Sequence, residues 1–298
     1  MKKPVDIVPV GNTLGEGVLW DCGSGRAWWT DIQQKKLLRY APATGLIETF
    51  DLPERLGSFG FVESGTQIIA AFESGFALYA PESGALDWIA RPPHAAKNIR
   101  FNDGRVDRQG RFWAGSMVEG DGEPRGKLYR LDGDGRYEVC AANIAISNSI
   151  CFSPDGKAMY FADTPKQVIH RYALDPESGE LSSRRIFAIT PEDAFPDGAQ
   201  VDCDGCVWSA HWGAGQVVRY TPDGRVDTVI DLPVTQPTCV AFGGDDMDLL
   251  FVTSARENLS GRVLERQPQA GNLFVYRVAA RGMSDARYVR PLSGRLSE

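Results

Sequence analysis

The stretch GRAWWTD, residues 25–31, decides the fold because its pattern returns along the whole chain. A turn is followed each time by a short apolar segment that is often aromatic. The copies are GRAWWTD (25–31), TQIIAAF (66–72), GRFWAGS (110–116), GKAMYFAD (156–163), GCVWSAH (205–211) and DLLFVTS (248–254). Their central residues lie 41 to 48 positions apart. Such a spacing is typical of a repeat made of four short strands.

A second segment follows each copy and ends near tyrosine and a turn, as in KLLRYAPATG and VVRYTPDG. Units this small cannot bury their apolar faces alone and must stack on their neighbours. The sequence therefore predicts an all-β, six-bladed β-propeller with four-stranded blades, formed by residues 1–298 as a single domain. We expect the strand-like segment Val5–Val10 to close the last blade, which otherwise ends near Asn272–Val278.

Composition excludes several classes of protein. The chain has 298 residues, of which 43% are hydrophobic and 24% charged, and a net charge of −7. The negative charge disfavours nucleic acid as a partner. We expect no membrane partner, because no apolar run is long enough to span a bilayer. The start has no apolar signal region, which favours a cytoplasmic location. The six scattered cysteines then indicate free thiols. We expect a monomer or a small homo-oligomer.

Four polar residues precede the repeated segment at nearly the same distance. Glu16, Asn102, Asn148 and Asp197 stand 11 or 12 positions before the central residue of their copies. Residues at one phase of a rotational repeat lie at about one height around the axis. Each also begins the strand that we expect to be innermost in its blade. The four side chains should therefore converge at one mouth of a central channel.

This set of side chains points to a cation, although strand starts also use such residues simply to cap turns. Two carboxylates that face each other in a channel repel unless a proton or a cation lies between them. Carboxylate and amide oxygens are ligands for hard ions. Ca²⁺ is our first expectation for one bound divalent cation, with Zn²⁺, Mg²⁺, Mn²⁺ and Fe²⁺ as alternatives.

Several motifs in order resemble those of the SMP-30/gluconolactonase/LRE-like family, which includes regucalcin and bacterial sugar lactonases. They are LGEGVLW (14–20), RFNDGRVDRQGRFWAGSM (100–117), ISNSICFSPDGKAMYFADT (146–164), FPDGAQVDCDGCVWSAHWGAGQVVRYTPDG (195–224) and TCVAFGGDDMDLLFVTSAR (238–256). The resemblance covers almost the whole chain. It implies a six-bladed propeller with one divalent cation near the axis and hydrolysis of aldonolactones, the cyclic esters of sugar acids.

The resemblance also implies roles for individual residues. Glu16, Asn148 and Asp197 would be the metal ligands, and Asp197 would also act as the catalytic base or acid. Arg100 and Asn102 would bind substrate hydroxyls. The chain departs from the family at one position, because the family often has Asn-Gly where this chain has Asn148-Ser149. In the loop after Met117, either Glu119 or Glu123 could reach the sugar.

These roles describe a mechanism of lactone hydrolysis, and two alternative functions remain. The metal would polarise the lactone carbonyl while Asp197 moves a proton from water to the ring oxygen, giving the free aldonic acid. One alternative is a phosphotriesterase or aryl esterase, whose pocket should be aromatic. The other is a non-enzymatic calcium-binding scaffold, which would not need Glu16 and Asp197 in the channel.

Overall fold

Each sequence repeat forms one four-stranded antiparallel sheet. The computed structural model describes residues 2–63, 65–93, 98–120 and 122–290. The described strands in chain order are β1 (Asp6–Val8), β2 (Gly15–Asp21), β3 (Arg26–Asp31), β4 (Lys36–Ala41), β5 (Leu46–Asp51), β6 (Leu56–Phe61), β7 (Ile68–Phe72), β8 (Gly75–Ala80), β9 (Ala85–Ala90), β10 (Ile99–Val106), β11 (Phe112–Val118), β12 (Gly126–Leu131), β13 (Tyr137–Ile144), β14 (Ser147–Phe152), β15 (Ala158–Asp163), β16 (Val168–Leu174), β17 (Leu181–Ile189), β18 (Phe195–Val201), β19 (Val207–Trp212), β20 (Gln216–Tyr220), β21 (Val226–Asp231), β22 (Pro237–Gly243), β23 (Leu249–Ser254) and β24 (Leu273–Arg277).

The six sheets form a closed ring. Blades one to five are β2–β5, β6–β9, β10–β13, β14–β17 and β18–β21, and the sixth combines β22, β23 and β24 with β1. The first strands contact one another in the series β2, β6, β10, β14, β18 and β22, and β22 contacts β2 again. These strands therefore surround a central axis, and the predicted six-bladed propeller is confirmed.

The amino-terminal strand closes the ring as predicted. β1 pairs antiparallel with β24, with Asp6 opposite Val275 and Val8 opposite Leu273. The backbone N–H of Val5 donates one more bond to the carbonyl of Val275 at 2.7 Å. The last blade would otherwise expose β24 as an unpaired edge, which folded sheets avoid.

Aromatic side chains of the repeat fill the space between blades. Trp208 of the fifth blade packs edge-on against Phe242 of the sixth, with ring centroids 5.6 Å apart. Trp20 of the first blade stacks on Phe251 of the sixth at 5.2 Å. Large apolar rings bury much surface and gain further from such geometries. The repeated aromatic strands therefore hold the blades together.

Some turns between the first two strands of a blade carry an aspartate that orders the turn. Asp107 accepts a hydrogen bond from the indole N–H of Trp113 at 2.8 Å. Asp202 accepts the equivalent bond from Trp208 at 2.9 Å in the fifth blade. Both carboxylates also accept backbone N–H groups of their own turns. The same interaction thus links the turn to the core in two blades.

Helix is scarce in the part of the chain that the structure describes. There is one α-helix, α1 (Gly261–Arg266), and one 3₁₀ turn at Thr164–Lys166. Neither is long and apolar enough to cross a bilayer. All six cysteines are free, as predicted.

Residues 281–289 leave the last blade and cross one end of the channel. The N–H of Gly282 donates to the carbonyl of Met247 at 2.8 Å, and that of Tyr288 donates to the carbonyl of Phe61 at 2.7 Å. These partners belong to the sixth and second blades, so the segment spans the ring. We call this end, where the first strands finish, the closed mouth. The end where they begin is the open mouth.

Candidate metal centre at the open mouth

The polar residues at one phase of the repeat lie together at the open mouth. All four residues are buried and lie within the first four positions of their strands, which are β2 for Glu16, β10 for Asn102, β14 for Asn148 and β18 for Asp197. With Arg100 they line one cavity of about 340 Å³. The structure therefore brings together all five residues that the sequence singled out. Their chemical roles stay hypotheses.

A break in strand pairing begins at Glu16 and at Asn148 and includes Asn102 and Asp197. The pairing of β2 with β3 shifts register between Glu16 and Leu19, and that of β14 with β15 shifts between Asn148 and Cys151. β10 and β18 have the same irregularity. A bulge bends the strand and redirects the side chains beside it. The repeated bulge is thus a local reason why the first strands present polar groups to the axis.

Ser149 occupies the bulge position that glycine fills in the first blade. Gly17 has a φ of +61° and Ser149 a φ of +59°, both in the left-handed region that favours glycine. The Ser149 hydroxyl donates to the backbone carbonyl of Asp197 at 2.7 Å. Asn148-Ser149 in place of Asn-Gly therefore keeps the turn and adds a link to the neighbouring blade.

The two asparagines and Arg100 form a buried hydrogen-bond series. Arg100 Nη1 donates to Asn102 Oδ1 at 2.7 Å. Asn102 Nδ2 donates to Asn148 Oδ1 at 2.9 Å and to the carbonyl of Ser147 at 3.0 Å. Both amide hydrogens of Asn102 are used, and its Oδ1, which accepts from Arg100, has one lone pair left for a further donor.

The carboxyl groups of Glu16 and Asp197 face each other. They are close enough to share a hydrogen bond. Burial raises the pKa of Glu16, and so does the charge of Asp103. Burial and then the charge of Glu16 raise the pKa of Asp197. Two carboxylates this close cannot both ionise without help, so the pair retains a proton or takes a cation.

Asp103 adds a third buried carboxylate that the sequence analysis missed. It accepts the N–H groups of Ile150 at 2.7 Å and Gly104 at 2.8 Å. Burial raises the pKa of Asp103 to about 6, against the lowering effects of these bonds and of Arg105. Strand alternation would place Asp103 on the face opposite Asn102. The bulge between Phe101 and Gly104 removes that alternation.

Glu119 lies behind Arg100. Its Oε1 accepts from Arg100 Nε at 3.0 Å. Arg55 donates to both carboxylate oxygens of Glu119, at 2.9 and 3.0 Å. Neither Glu119 nor Glu123 is among the described residues that line the cavity. Glu119 thus reaches the site through Arg100, while a direct contact of either residue with a sugar stays untested.

The outer part of the cavity is less polar than the predicted set. Phe195, Trp212 and Met117 contribute apolar and aromatic surface, and Thr164 and Glu257 add polar groups. The repeat does not place similar residues at the corresponding positions of the other blades. The sequence pattern therefore did not indicate that these residues line the cavity. The cavity combines a polar floor with a partly aromatic wall.

The potential metal ligands are oxygens. Among the described residues, no group of three or more His, Cys, Asp or Glu side chains is arranged to hold a metal ion. The arrangement at the open mouth instead has two facing carboxyl groups and the amide oxygen of Asn148. A hard divalent cation suits such a donor set, because it takes carboxylate, amide and water oxygens together.

Comparison with known proteins agrees with the fold and the motifs. A model of the SMP-30/gluconolactonase/LRE-like region matches residues 14–256. The 6-deoxy-6-sulfogluconolactonase of Pseudomonas putida is 40% identical over 92% of this chain and 94% of its own length. The L-arabinolactonase of Azospirillum brasilense is 39% identical, over 93% and 92%.

A solved structure shows the same likeness. The crystal structure of regucalcin from Agrobacterium tumefaciens, described as a calcium-binding protein, has a TM-score of 0.91 and 32% identity, with 97% of each chain covered. The family model covers most of the present chain, and the relatives span nearly all of it. The chain belongs to the SMP-30/gluconolactonase/LRE-like family.

Proposed function

We propose that this chain hydrolyses the lactone of a sugar acid, with one divalent cation held by Glu16, Asn148 and Asp197. The observation that carries the proposal is the facing pair of buried carboxyl groups on the floor of an accessible cavity. The names of the relatives support the reaction class, because sugar lactonases are carboxylic ester hydrolases.

The residues present fit a cation. Glu16 and Asp197 bring two negative charges when both are ionised, so one divalent ion makes the group neutral. Asn148 Oδ1 accepts one hydrogen bond, from Asn102, and an amide oxygen has two lone pairs. We assign Ca²⁺ first, in line with the calcium-binding description of the Agrobacterium protein. When bound, such a cation supplies Lewis acidity toward the carbonyl oxygen that becomes negative in the transition state.

Asp197 is the residue that we propose to move the proton. In our proposal its carboxylate takes a proton from the attacking water while the water oxygen bonds to the carbonyl carbon. The bond from that carbon to the ring oxygen then breaks. Asp197 returns the proton to the ring oxygen, which becomes a hydroxyl of the open-chain acid. The Ser149 hydroxyl holds the backbone of Asp197 during these steps.

Arg100 and Asn102 are proposed to orient the sugar. Asn102 Oδ1 keeps a lone pair that can accept from a substrate hydroxyl. Arg100 donates to Glu119 at 3.0 Å and to the carbonyl of Phe101 at 3.0 Å, and these bonds fix the position of its planar guanidinium beside the cavity. Hydrogen bonds of this kind discriminate between sugars, because a missing hydroxyl leaves a buried polar group unpaired.

A hydrolysis assay tests the proposal. A pH indicator would follow acid release from glucono-, galactono-, arabinono- and xylonolactone, with an aryl acetate as the comparison substrate. We expect at least one aldonolactone to be hydrolysed, with the activity lost after chelation and restored by a divalent ion. Unchanged activity in chelated protein would remove the cation from the mechanism, and preference for the aryl ester would select the esterase alternative.

A further inference from the structure

A one-way series of hydrogen bonds runs beneath the open mouth. Arg100 donates to Asn102 at 2.7 Å, and Asn102 donates to Asn148 at 2.9 Å. Asn148 Nδ2 donates to the hydroxyl of Thr164 at 2.8 Å, and Thr164 Oγ1 donates to the carbonyl of Pro196 at 2.8 Å. In every one of these hydrogen bonds the donor is the residue nearer to Arg100 in the series. The side chains that form the series are all buried.

The two ends fix the direction of the series. The guanidinium of Arg100 can only donate, and the backbone carbonyl of Pro196 can only accept. The single hydroxyl proton of Thr164 is used on that carbonyl, so the hydroxyl can only accept from Asn148. An amide has nearly the same shape after a half-turn, and its partners decide which end is oxygen. Thr164 thereby requires the NH₂ end of Asn148.

We propose that Thr164 is a positioning residue that binds the NH₂ end of the Asn148 amide and so leaves the oxygen end available to the proposed cation. The inference rests on the proposed cation site. A half-turn of the amide would replace Oδ1 by the NH₂ group, which repels a cation. Because Pro196 directly precedes Asp197, the same hydroxyl links the side chain of Asn148 to the backbone that leads into Asp197.

The fold holds the hydroxyl of Thr164 in place. The backbone N–H of Thr164 donates to the carbonyl of Ile146 at 2.9 Å, and Thr164 begins a 3₁₀ turn. The carboxylate of Asp163 accepts the N–H groups of Ala145 at 3.1 Å and Ile146 at 3.0 Å. The turn is therefore tied on both sides to the segment that leads into Asn148. A metal ligand keeps one orientation when the residue that binds it is itself held in place.

Two substitutions separate the hydroxyl from the shape of the side chain. Thr164→Val keeps the shape and removes both hydrogen bonds, whereas Thr164→Ser keeps the hydroxyl. Thr190→Val is the matched control, because Thr190 is also buried and donates its hydroxyl to a backbone carbonyl, that of Gln167, at 3.3 Å. Thr190 is not among the described residues that line the cavity.

Calorimetric titration of the chelator-stripped full chain with Ca²⁺ and Mn²⁺ is the first test. We expect Thr164→Val to raise the dissociation constant of the cation about 10- to 100-fold, the usual effect of losing a group that orients a ligand. Thr164→Ser and Thr190→Val should stay within about threefold of wild type, since both keep the Asn148 contact. Wild-type affinity in a folded Thr164→Val protein would overturn the inference.

A second measurement does not need the cation. The side-chain NH₂ signals of Asn148, assigned by their loss in Asn148→Asp, would be followed by NMR in cation-free protein. We expect slow exchange with water in wild type and Thr164→Ser and fast exchange in Thr164→Val. Unchanged protection in Thr164→Val would contradict the role of Thr164. If wild type bound no cation, the proposed function would fail, and this readout would still decide the orientation of the amide.

Discussion

The two mouths of the channel differ in how their buried carboxylates are compensated. At the open mouth the acid pair Glu16 and Asp197 faces a cavity, with Asp103 close enough to raise the pKa of both. At the closed mouth the carboxylate of Asp285 pairs with the guanidinium of Arg105, and their side chains are 7% and 8% exposed. Among the described residues, Glu16 and Asp197 thus form no ion pair with a protein cation, although Arg100 lines the same cavity, whereas Asp285 at the other end forms one.

The difference shows what each end is built to contain. At the closed mouth the protein supplies its own cation, Arg105, and residues 281–289 cross that end. Gln200 donates a further bond to Asp285 at 3.2 Å. At the open mouth the like charges stay together, although their repulsion costs stability in the absence of a ligand. Sites that sacrifice stability in this way are typically functional.

The largest expected effect comes from removing charge at the open mouth. Asp197→Asn should lower turnover about 10⁴-fold, because it removes the negative charge of a proposed ligand and the proposed base together. The same substitution should raise the melting temperature of cation-free protein at pH 8, since one repelling carboxylate is gone. Lactone hydrolysis and thermal unfolding in chelator would measure the two effects.

Glu16→Gln is the matched variant, because it removes the other charge and leaves the base. Its turnover should also fall, and its cation-free form should gain stability in the same way. A lower melting temperature than wild type for both variants would mean that the acid pair is satisfied within the protein, which contradicts the comparison between the mouths.

Breaking the closed mouth should mainly affect stability. Asp285→Ala leaves the buried guanidinium of Arg105 without its carboxylate, which should lower the free energy of unfolding by about 3 to 5 kcal/mol. The double variant Arg105→Met/Asp285→Leu removes both charges and should recover most of that loss. Urea unfolding measures both variants. A single variant as stable as wild type would show that the pair contributes nothing to the closed mouth.

The repeat explains why much of this architecture could be predicted from sequence. Each blade is built from strands that are neighbours along the chain, so a local pattern carries most of the fold. Phase then relates residues that are distant in sequence, which is how Glu16, Asn102, Asn148 and Asp197 were found. The prediction succeeded where the molecule follows its own rotational symmetry.

The features that escaped prediction break that symmetry. Asp103 faces inward because of a bulge that no residue pattern announced. Asp285 lies in a segment outside the repeats and meets Arg105 across 180 positions of sequence. Arg55 reaches Glu119 from another blade. Each of these features depends on contacts between side chains of different segments. The repeat pattern predicts the strands but not those contacts.

The open mouth should also show a pH effect, with a smaller magnitude. Burial raises the folded-state pKa of Glu16 above the value in the unfolded chain, so the folded protein holds more protons between the two values. Stability of cation-free protein should therefore fall as pH rises through neutrality. Between pH 6.5 and 7.5 we expect a loss of about 1 kcal/mol relative to Glu16→Gln, which retains the other titrating groups.

Urea unfolding at the two pH values, with chelator and with saturating Ca²⁺, checks this effect. The cation should abolish the difference, because it favours the ionised carboxylates. A wild-type slope equal to that of Glu16→Gln in chelator would argue against a proton held by the acid pair.

The smallest expected effect concerns the arginine behind the open mouth. Arg55 binds Glu73 and Glu119, and Glu119 in turn holds Arg100. Arg55→Gln should loosen Arg100 and raise KM about two- to fivefold with kcat nearly unchanged, since ground-state and transition-state binding of the sugar weaken alike. Arg39→Gln is the control, because Arg39 also joins two glutamates, Glu48 and Glu82, but does so away from the cavity. Equal KM changes in both variants would assign the effect to general stability, and a fall in kcat for Arg55→Gln alone would place Arg55 closer to the reacting atoms than this geometry indicates.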